Sequence, residues 1–247
     1  MKWFQKKTEQ QAQTGKSIFD NVNGIDKGNW QDVFSACLGK MLAIQYAADE
    51  WVIKDRDWNV DFSRGVILFG SDEYPIQFIG SESEIQNTWL WGWVNINRLD
   101  KSLLTFGNKT RALGKKWKLQ PLIEEEIELN DCFNGHNLSI VACGLADEKV
   151  CYYRCPYSGG AAFVALSNVP EKVFASVGVL RFTSIIMYCV EQYKINGKIL
   201  VESFLLWNNT PYRWESDTQI IAHFETDLVI TFEYIGGELR IVSMKTL

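Results

Sequence analysis

The sequence predicts an α+β fold, with helices packed on antiparallel meander sheets. Three observations carry that expectation. Residues 29–49 repeat apolar side chains at helical spacing. Residues 51–95 break into short apolar or alternating runs separated by brief polar turns, the mark of antiparallel neighbours. The same order, a helix followed by four strands, returns at 170–245. A residue-level match between the two halves is absent, so the echo is architectural.

The elements follow in order. Residues 1–24 read as a polar N-terminal arm, with a short helix at most near 7–15. Asn29 is a good N-cap, and Asp32 suits a helix N-terminus. Trp30, Val33, Phe34, Cys37, Leu38, Met41, Ile44 and Ala48 then mark an amphipathic helix over 29–49. Strands are expected at Trp51–Asp61, Val66–Phe69, Tyr74–Ile79 and Thr88–Val94. A second helix is expected over 98–117, weakened or split by Gly107 and Gly114. Glu124–Glu126 lie in an extended linker or short strand. Asn130 or Asp131 caps a short helix over 131–145. Lys149–Cys155 and Ala161–Leu166 pair through the turn Pro156–Gly160. Pro170 opens a helix to about Tyr193, with a break at Gly178; apolar on most sides, it reads as the central buried helix. Asn196-Gly197 then reads as a turn into a meander of Lys198–Trp207, Gln219–Glu225, Leu228–Tyr234 and Glu238–Met244, with Ile235-Gly236-Gly237 as a hairpin turn. Residues 25–247 are expected to form one domain; if it divides into lobes, they are 25–167 and 168–247.

Composition narrows the function. A chain of 247 residues buries roughly three quarters of its unfolded surface and needs no staples. The net charge of −5 argues against nucleic acid, which is bound through clustered Lys and Arg. The basic start, Met1 to Lys7, lacks the apolar run of a secretory signal. Phe182–Val190 is far shorter than the ~20 residues that span a bilayer. The expectation is a cytoplasmic protein with no membrane partner and with reduced, mostly buried cysteines.

The search for chemistry finds little. Only His136 and His223 could serve a Ser–His–Asp site, and Ile79-Gly80-Ser81-Glu82-Ser83 is not a nucleophile elbow. On a strand, Cys151 and Cys155 stand about 13 Å apart, too far to share a zinc ion. No phosphate-binding loop, dinucleotide fingerprint or zinc-protease motif is present. No cofactor or metal is expected.

The densest signal is aromatic. Three of the ten tryptophans, Trp89, Trp91 and Trp93, alternate within five residues. On a strand they share one face, and Leu90, Gly92 and Val94 take the other. Both faces are then apolar. Two readings stand: a core strand covered on both sides, or the lining of a pocket or partner site, since each indole N–H wants an acceptor.

Four stretches together resemble a bacterial family of domains of unknown function with a Gly-Ser-x-Ser … Thr-Trp-Leu-Trp-x-Trp-x-Asn core. They are Trp58-Asn59-Val60-Asp61, Leu68-Phe69-Gly70, Gln77–Ser83 and Thr88–Asn95. Tyr152-Tyr153-Arg154 and Pro156–Phe163 extend the resemblance, which runs from about 51 to 166 and is vaguer after 170. Cys155 stands where that pattern has glycine. The resemblance implies no activity. It does imply that the Trp strand and the Tyr-Arg-x-Pro-Tyr turn belong to one recurring design.

The first expectation is therefore a non-catalytic binding protein taking a protein partner or a small ligand; a bacterial immunity-type protein is one version, its acidic charge suiting a basic partner. The candidate binding residues are Ser81, Ser83, Trp89, Trp91, Trp93, Asn95, Tyr153, Arg154 and Tyr157. The alternative is a hydrolase of unrecognised type, using Glu82 or Glu84 near the aromatics as a carboxylate pair. A third reading is a scaffold that dimerises through a strand edge.

Overall fold

A computed structural model describes residues 19, 21, 22 and 24–247. The expected helix near 7–15 lies outside the described residues. The fold is α+β, with two antiparallel sheets and helices between and around them.

Helix α1 (Trp30–Ala48) starts where the Asn29 side chain accepts from the Asp32 N–H at 3.2 Å. It runs on through a π-helical turn, Asp49–Ile53, and stops at Lys54 and Asp55, both left-handed at φ 52° and 50°. The Arg56 side chain folds back to donate to the carbonyls of Val52 and Ile53. The strand expected over Trp51–Asp61 therefore shrinks to β1 (Trp58–Asp61). Residues 51–53 close a helix end, whose last carbonyls Arg56 satisfies.

Strands β2 (Val66–Phe69), β3 (Asp72–Ser83) and β4 (Thr88–Trp91) complete the expected meander. The short strand β5 (Glu126–Glu128) pairs with β4. Strands β6 (Cys151–Tyr157) and β7 (Gly160–Leu166) form the expected hairpin. The seven strands make one sheet, β1-β2-β3-β4-β5, with β7 on β3 and β6 beyond it. β3 is its hub: β2 pairs with its first residues, and β4 and β7 flank its last ones. Strand β4 ends earlier than expected, because Gly92–Val94 turn as a 3-10 helix closed by left-handed Asn95.

Helix α2 (Thr105–Trp117) follows a 3-10 turn, Lys101–Leu104, capped by Asp100. The break falls there and not at Gly107 or Gly114. Helix α3 (Gly135–Gly144) is capped by Asn134, whose side chain accepts from the Asn137 N–H at 3.0 Å. It starts four residues later than expected.

The second half holds two corrections. Helix α4 (Val179–Gln192) is not the central buried helix. It buries only Phe182, Ile185, Ile186 and Cys189, and it exposes Leu180, Met187, Tyr188 and Val190. Nor is Lys198–Trp207 a strand. Helix α5 (Gly197–Trp207) occupies it, with Asn196 as N-cap and not as a hairpin turn. The four-stranded meander survives through a strand that sequence reading missed: β8 (Tyr212–Ser216) joins β9 (Gln219–His223), β10 (Asp227–Ile235) and β11 (Glu238–Thr246), in the order β11-β10-β9-β8.

The central helix is α1. It packs on α3 towards the seven-stranded sheet and on α5 towards the four-stranded one, and every residue from Val33 to Gly39 is buried. The crossing with α5 is close. A Cβ on Gly39 would stand 2.8 Å from the Phe204 ring, so only glycine fits.

Candidate functional site

The tryptophan run is the place to begin. Trp89 and Trp91 are 0% and 1% exposed and Trp93 8%. Trp89 stands at 90° to Trp91, with centroids 5.3 Å apart, and Trp91 stacks on Trp93 at 4.5 Å. The Trp91 indole donates to the Pro121 carbonyl at 3.0 Å, while the Trp89 and Trp93 N–H groups have no acceptor among the described residues. Of the two readings, the geometry places the rings in the core. Trp93 joins them from the 3-10 turn, not from the strand.

Just beyond this core the central strands gather charge. Residues opposite one another in a ladder share a face. Arg154 lies opposite Phe163, which lies opposite Gly80, itself opposite Trp91. The next row on that face is Pro156, Ala161, Glu82 and Trp89. Glu82 is thus set among aromatic rings, where a bare carboxylate would be costly. Two donors meet it. Arg154 Nε reaches Oε1 at 3.0 Å, and the Gly135 N–H, at the start of α3, reaches Oε2 at 3.2 Å. The helix start can come so close only because residue 135 has no side chain: a Cβ there would lie 2.3 Å from Phe163 and 2.7 Å from Glu82 Oε2. The Glu82 side chain is 12% exposed and that of Arg154 31%. Glu84, on the rim, meets the same guanidinium at 3.5 Å.

His136 follows Gly135 and packs edge-on against Phe163, with its Nδ1 3.2 Å from the Tyr152 hydroxyl. Burial, helped by the Arg154 charge and opposed by Glu82, holds its pKa below the usual imidazole value. Burial likewise pushes the Tyr152 phenol well up. Sequence reading had weighed His136 as a triad member. Its link to Glu82 runs through the cap of α3, which no local pattern announces.

The remaining candidate residues divide. Tyr153 points to the opposite face, between Trp58 and Phe69 with centroids 5.4 and 5.0 Å away. Ser81 shares that opposite face, beside Leu90 and Ala162. The Ser83 hydroxyl accepts from the Gln86 N–H at 3.1 Å and shapes the β3–β4 turn. Asn95 binds both backbone groups of Leu99 and is remote from the cluster in role as well as in sequence. Arg154 and Tyr157 do meet the cluster: the Tyr157 hydroxyl donates to the Glu82 carbonyl at 3.4 Å.

That contact joins two hairpin tips. The Glu84 N–H donates to the Gly159 carbonyl at 3.0 Å, binding the β3–β4 tip to the β6–β7 tip. On the joined tips Ile85 is 86% exposed and Tyr157 54%.

Other chemistry is thin. Among the described residues no group of three or more His, Cys, Asp or Glu could hold a metal ion. Every cysteine is free, and only Cys132 is exposed. His223 sits between Asp227 at 2.7 Å and Arg213 at 3.0 Å, so both ring nitrogens are engaged. No helix among the described residues is long and apolar enough to cross a membrane.

Residues 31–169 match the model of a family of unknown function (DUF6882), and the chain belongs to that family. The match takes in α1, the whole seven-stranded sheet, the Glu82–Arg154 pair and both hairpin tips. Neither the curated proteins nor the solved structures contain a match.

Proposed function

We propose that the protein is a non-catalytic binding protein whose partner, a protein segment, docks on the joined hairpin tips of the seven-stranded sheet. The observation that carries this reading is the exposure of Ile85 and Tyr157 on two hairpin tips that are locked to each other by backbone and side-chain hydrogen bonds. A large apolar side chain held rigid in water loses little entropy on binding. Tyrosine and arginine are the residues that most often dominate such contacts, and Arg154 lies beneath. Glu84 and the exposed Glu128 and Asp131 give this end of the sheet an acidic rim, which suits a basic partner.

A hydrolase working through Glu82 and Glu84 is less well supported. A carboxylate pair divides the work of acid and base or nucleophile, which requires each to reach the substrate. Here both turn onto one guanidinium, and the two oxygens of Glu82 are already engaged.

The test is affinity capture with the full chain as bait, then titration of the captured protein against purified variants. Ile85→Asp is expected to weaken binding by at least about tenfold, the scale of a lost contact worth ~1.4 kcal/mol, with an unchanged melting temperature. A captured partner that binds Ile85→Asp/Tyr157→Ala as tightly as the parent protein sinks the proposal.

A further inference from the structure

Helix α4 carries an outer face that nothing among the described residues covers. On it Leu180 is 80% exposed, Met187 54%, Val190 44% and Tyr188 40%. Leu180, Ser184, Met187 and Glu191 recur at helical spacing. They form one exposed row down the helix, opposite the buried Phe182, Ile185, Ile186 and Cys189. Tyr188 and Val190 flank the row on its two sides. Arg181 also flanks it. Its guanidinium lies 5.3 Å from the ring centre of Tyr46, itself part-exposed, so the surface continues onto α1.

The charges on this face are placed against their own helix. Arg181 is in the first turn of α4, where free backbone N–H groups leave a partial positive charge. Glu191 is in the last turn, where free carbonyls leave a negative one. Nothing local offsets them, because the first turn holds no acidic residue and the last no basic one. Neither Arg181 nor Glu191 forms an ion pair within 4.0 Å among the described residues.

Arg181 and Glu191 stand at equal distances on either side of Ile186, near the middle of the helix. A second α4 laid antiparallel across the first, about a two-fold axis near that point, sets each Arg181 beside Glu191 of the other copy. It also brings each charge to a helix end of the opposite sign. Leu180 and Met187 of both copies then meet in the seam, and the small Ser184 near its centre lets the axes come close. A two-fold contact requires a patch complementary to itself, and this one is. A membrane surface would call for a strongly basic polar face, and α4 holds one basic and one acidic residue.

We infer that α4 is the interface of a homodimer, two copies of the chain pairing this helix antiparallel through the Leu180–Met187 row and two Arg181–Glu191 ion pairs. The surface uses none of the hairpin-tip residues and lies outside residues 31–169, the part that matches the family model.

The test is sedimentation velocity of the full chain at concentrations from about 1 to about 100 μM. The parent protein is expected to dimerise reversibly in that range. Leu180→Glu/Met187→Glu, at positions open to water, is expected to weaken the dimer at least about tenfold with an unchanged melting temperature. Arg181→Glu and Glu191→Arg should each weaken it at least about tenfold, because each sets like charges together twice. Arg181→Glu/Glu191→Arg should restore it, since both pairs re-form with their signs exchanged. A chain that stays monomeric at about 100 μM overturns the inference. So does a dimer indifferent to Leu180→Glu/Met187→Glu, which places the contact elsewhere, such as on the edge strand β11. A double reversal that dimerises as weakly as the single ones overturns the antiparallel pairing.

Discussion

At the scale of single residues, buried charge separates the sites that matter from those that only look reactive. Glu82 is half-buried and answered on both oxygens. Glu202, on α5, is fully buried and answered on one. Its Oε1 accepts from the Trp214 indole at 2.7 Å and the Tyr212 hydroxyl at 3.5 Å, and Oε2 has no partner among the described residues. Burial pushes its pKa up, with the Trp214 hydrogen bond and the Lys198 charge opposing. The sign follows from linkage. A carboxyl with a raised folded-state pKa is favoured neutral by the fold, so its contribution is fully present below the ordinary value of 4.5 and lost as pH rises through the raised one. Glu202→Gln cannot ionise. Its stability relative to the parent protein is expected to increase from pH 4 to pH 7, measured by urea unfolding at both ends. A constant difference would show that Glu202 does not titrate with folding. Serine, cysteine and tryptophan drew attention in the sequence by type and spacing. Glu202 did not, because its environment comes from other elements.

At the scale of elements, α5 shows how a correct local signal can be assigned to the wrong structure. Asn-Gly suits a hairpin turn, and Asn also caps helices. The run Lys198–Trp207 is rich in Ile, Val, Phe and Leu, as a strand would be. It is a helix buried on nearly all sides between α1 and the four-stranded sheet, so no polar stripe exposes its period. Asn196 does two jobs there. Its side chain accepts from the Ile199 N–H at 3.3 Å and donates to Asp32 at 3.0 Å, tying the start of α5 to the start of α1. Asn196→Ala is expected to cost about 1–2 kcal/mol, the upper range for a lost cap. In a chain of this size that lowers the melting temperature by roughly 2–8 °C. A thermal melt unchanged within error would mean that neither bond contributes. The π-helical turn at Asp49–Ile53 misled in a similar way: its apolar Trp51, Val52 and Ile53 belong to a helix end, not to an extended chain.

At the scale of the whole molecule, the Trp core and α1 hold the arrangement together. Trp89, Trp91 and Trp93 form a dry stack beneath the central strands, and α1 stands between both sheets. Trp91→Ala is expected to destabilise by about 3–5 kcal/mol, as large-to-small core changes do. That is a large share of the ~5–15 kcal/mol that keeps a domain folded. Denaturant unfolding with a near-unchanged midpoint would return Trp91 to the surface and reopen the pocket reading. The sequence by itself determined much of this: the helix at Asn29, the first meander, the β6–β7 hairpin, three of the four C-terminal strands and the aromatic density of β4. Each depends on period, caps and turns, which are local. Only the tertiary structure decided that α1 rather than α4 is the buried helix, that the tryptophans are dry, and that Glu82 meets Arg154 and the start of α3. Two apolar helices bury the same side chains in sequence. Which one is enclosed depends on what packs around it, and that is set by residues more than a hundred positions away.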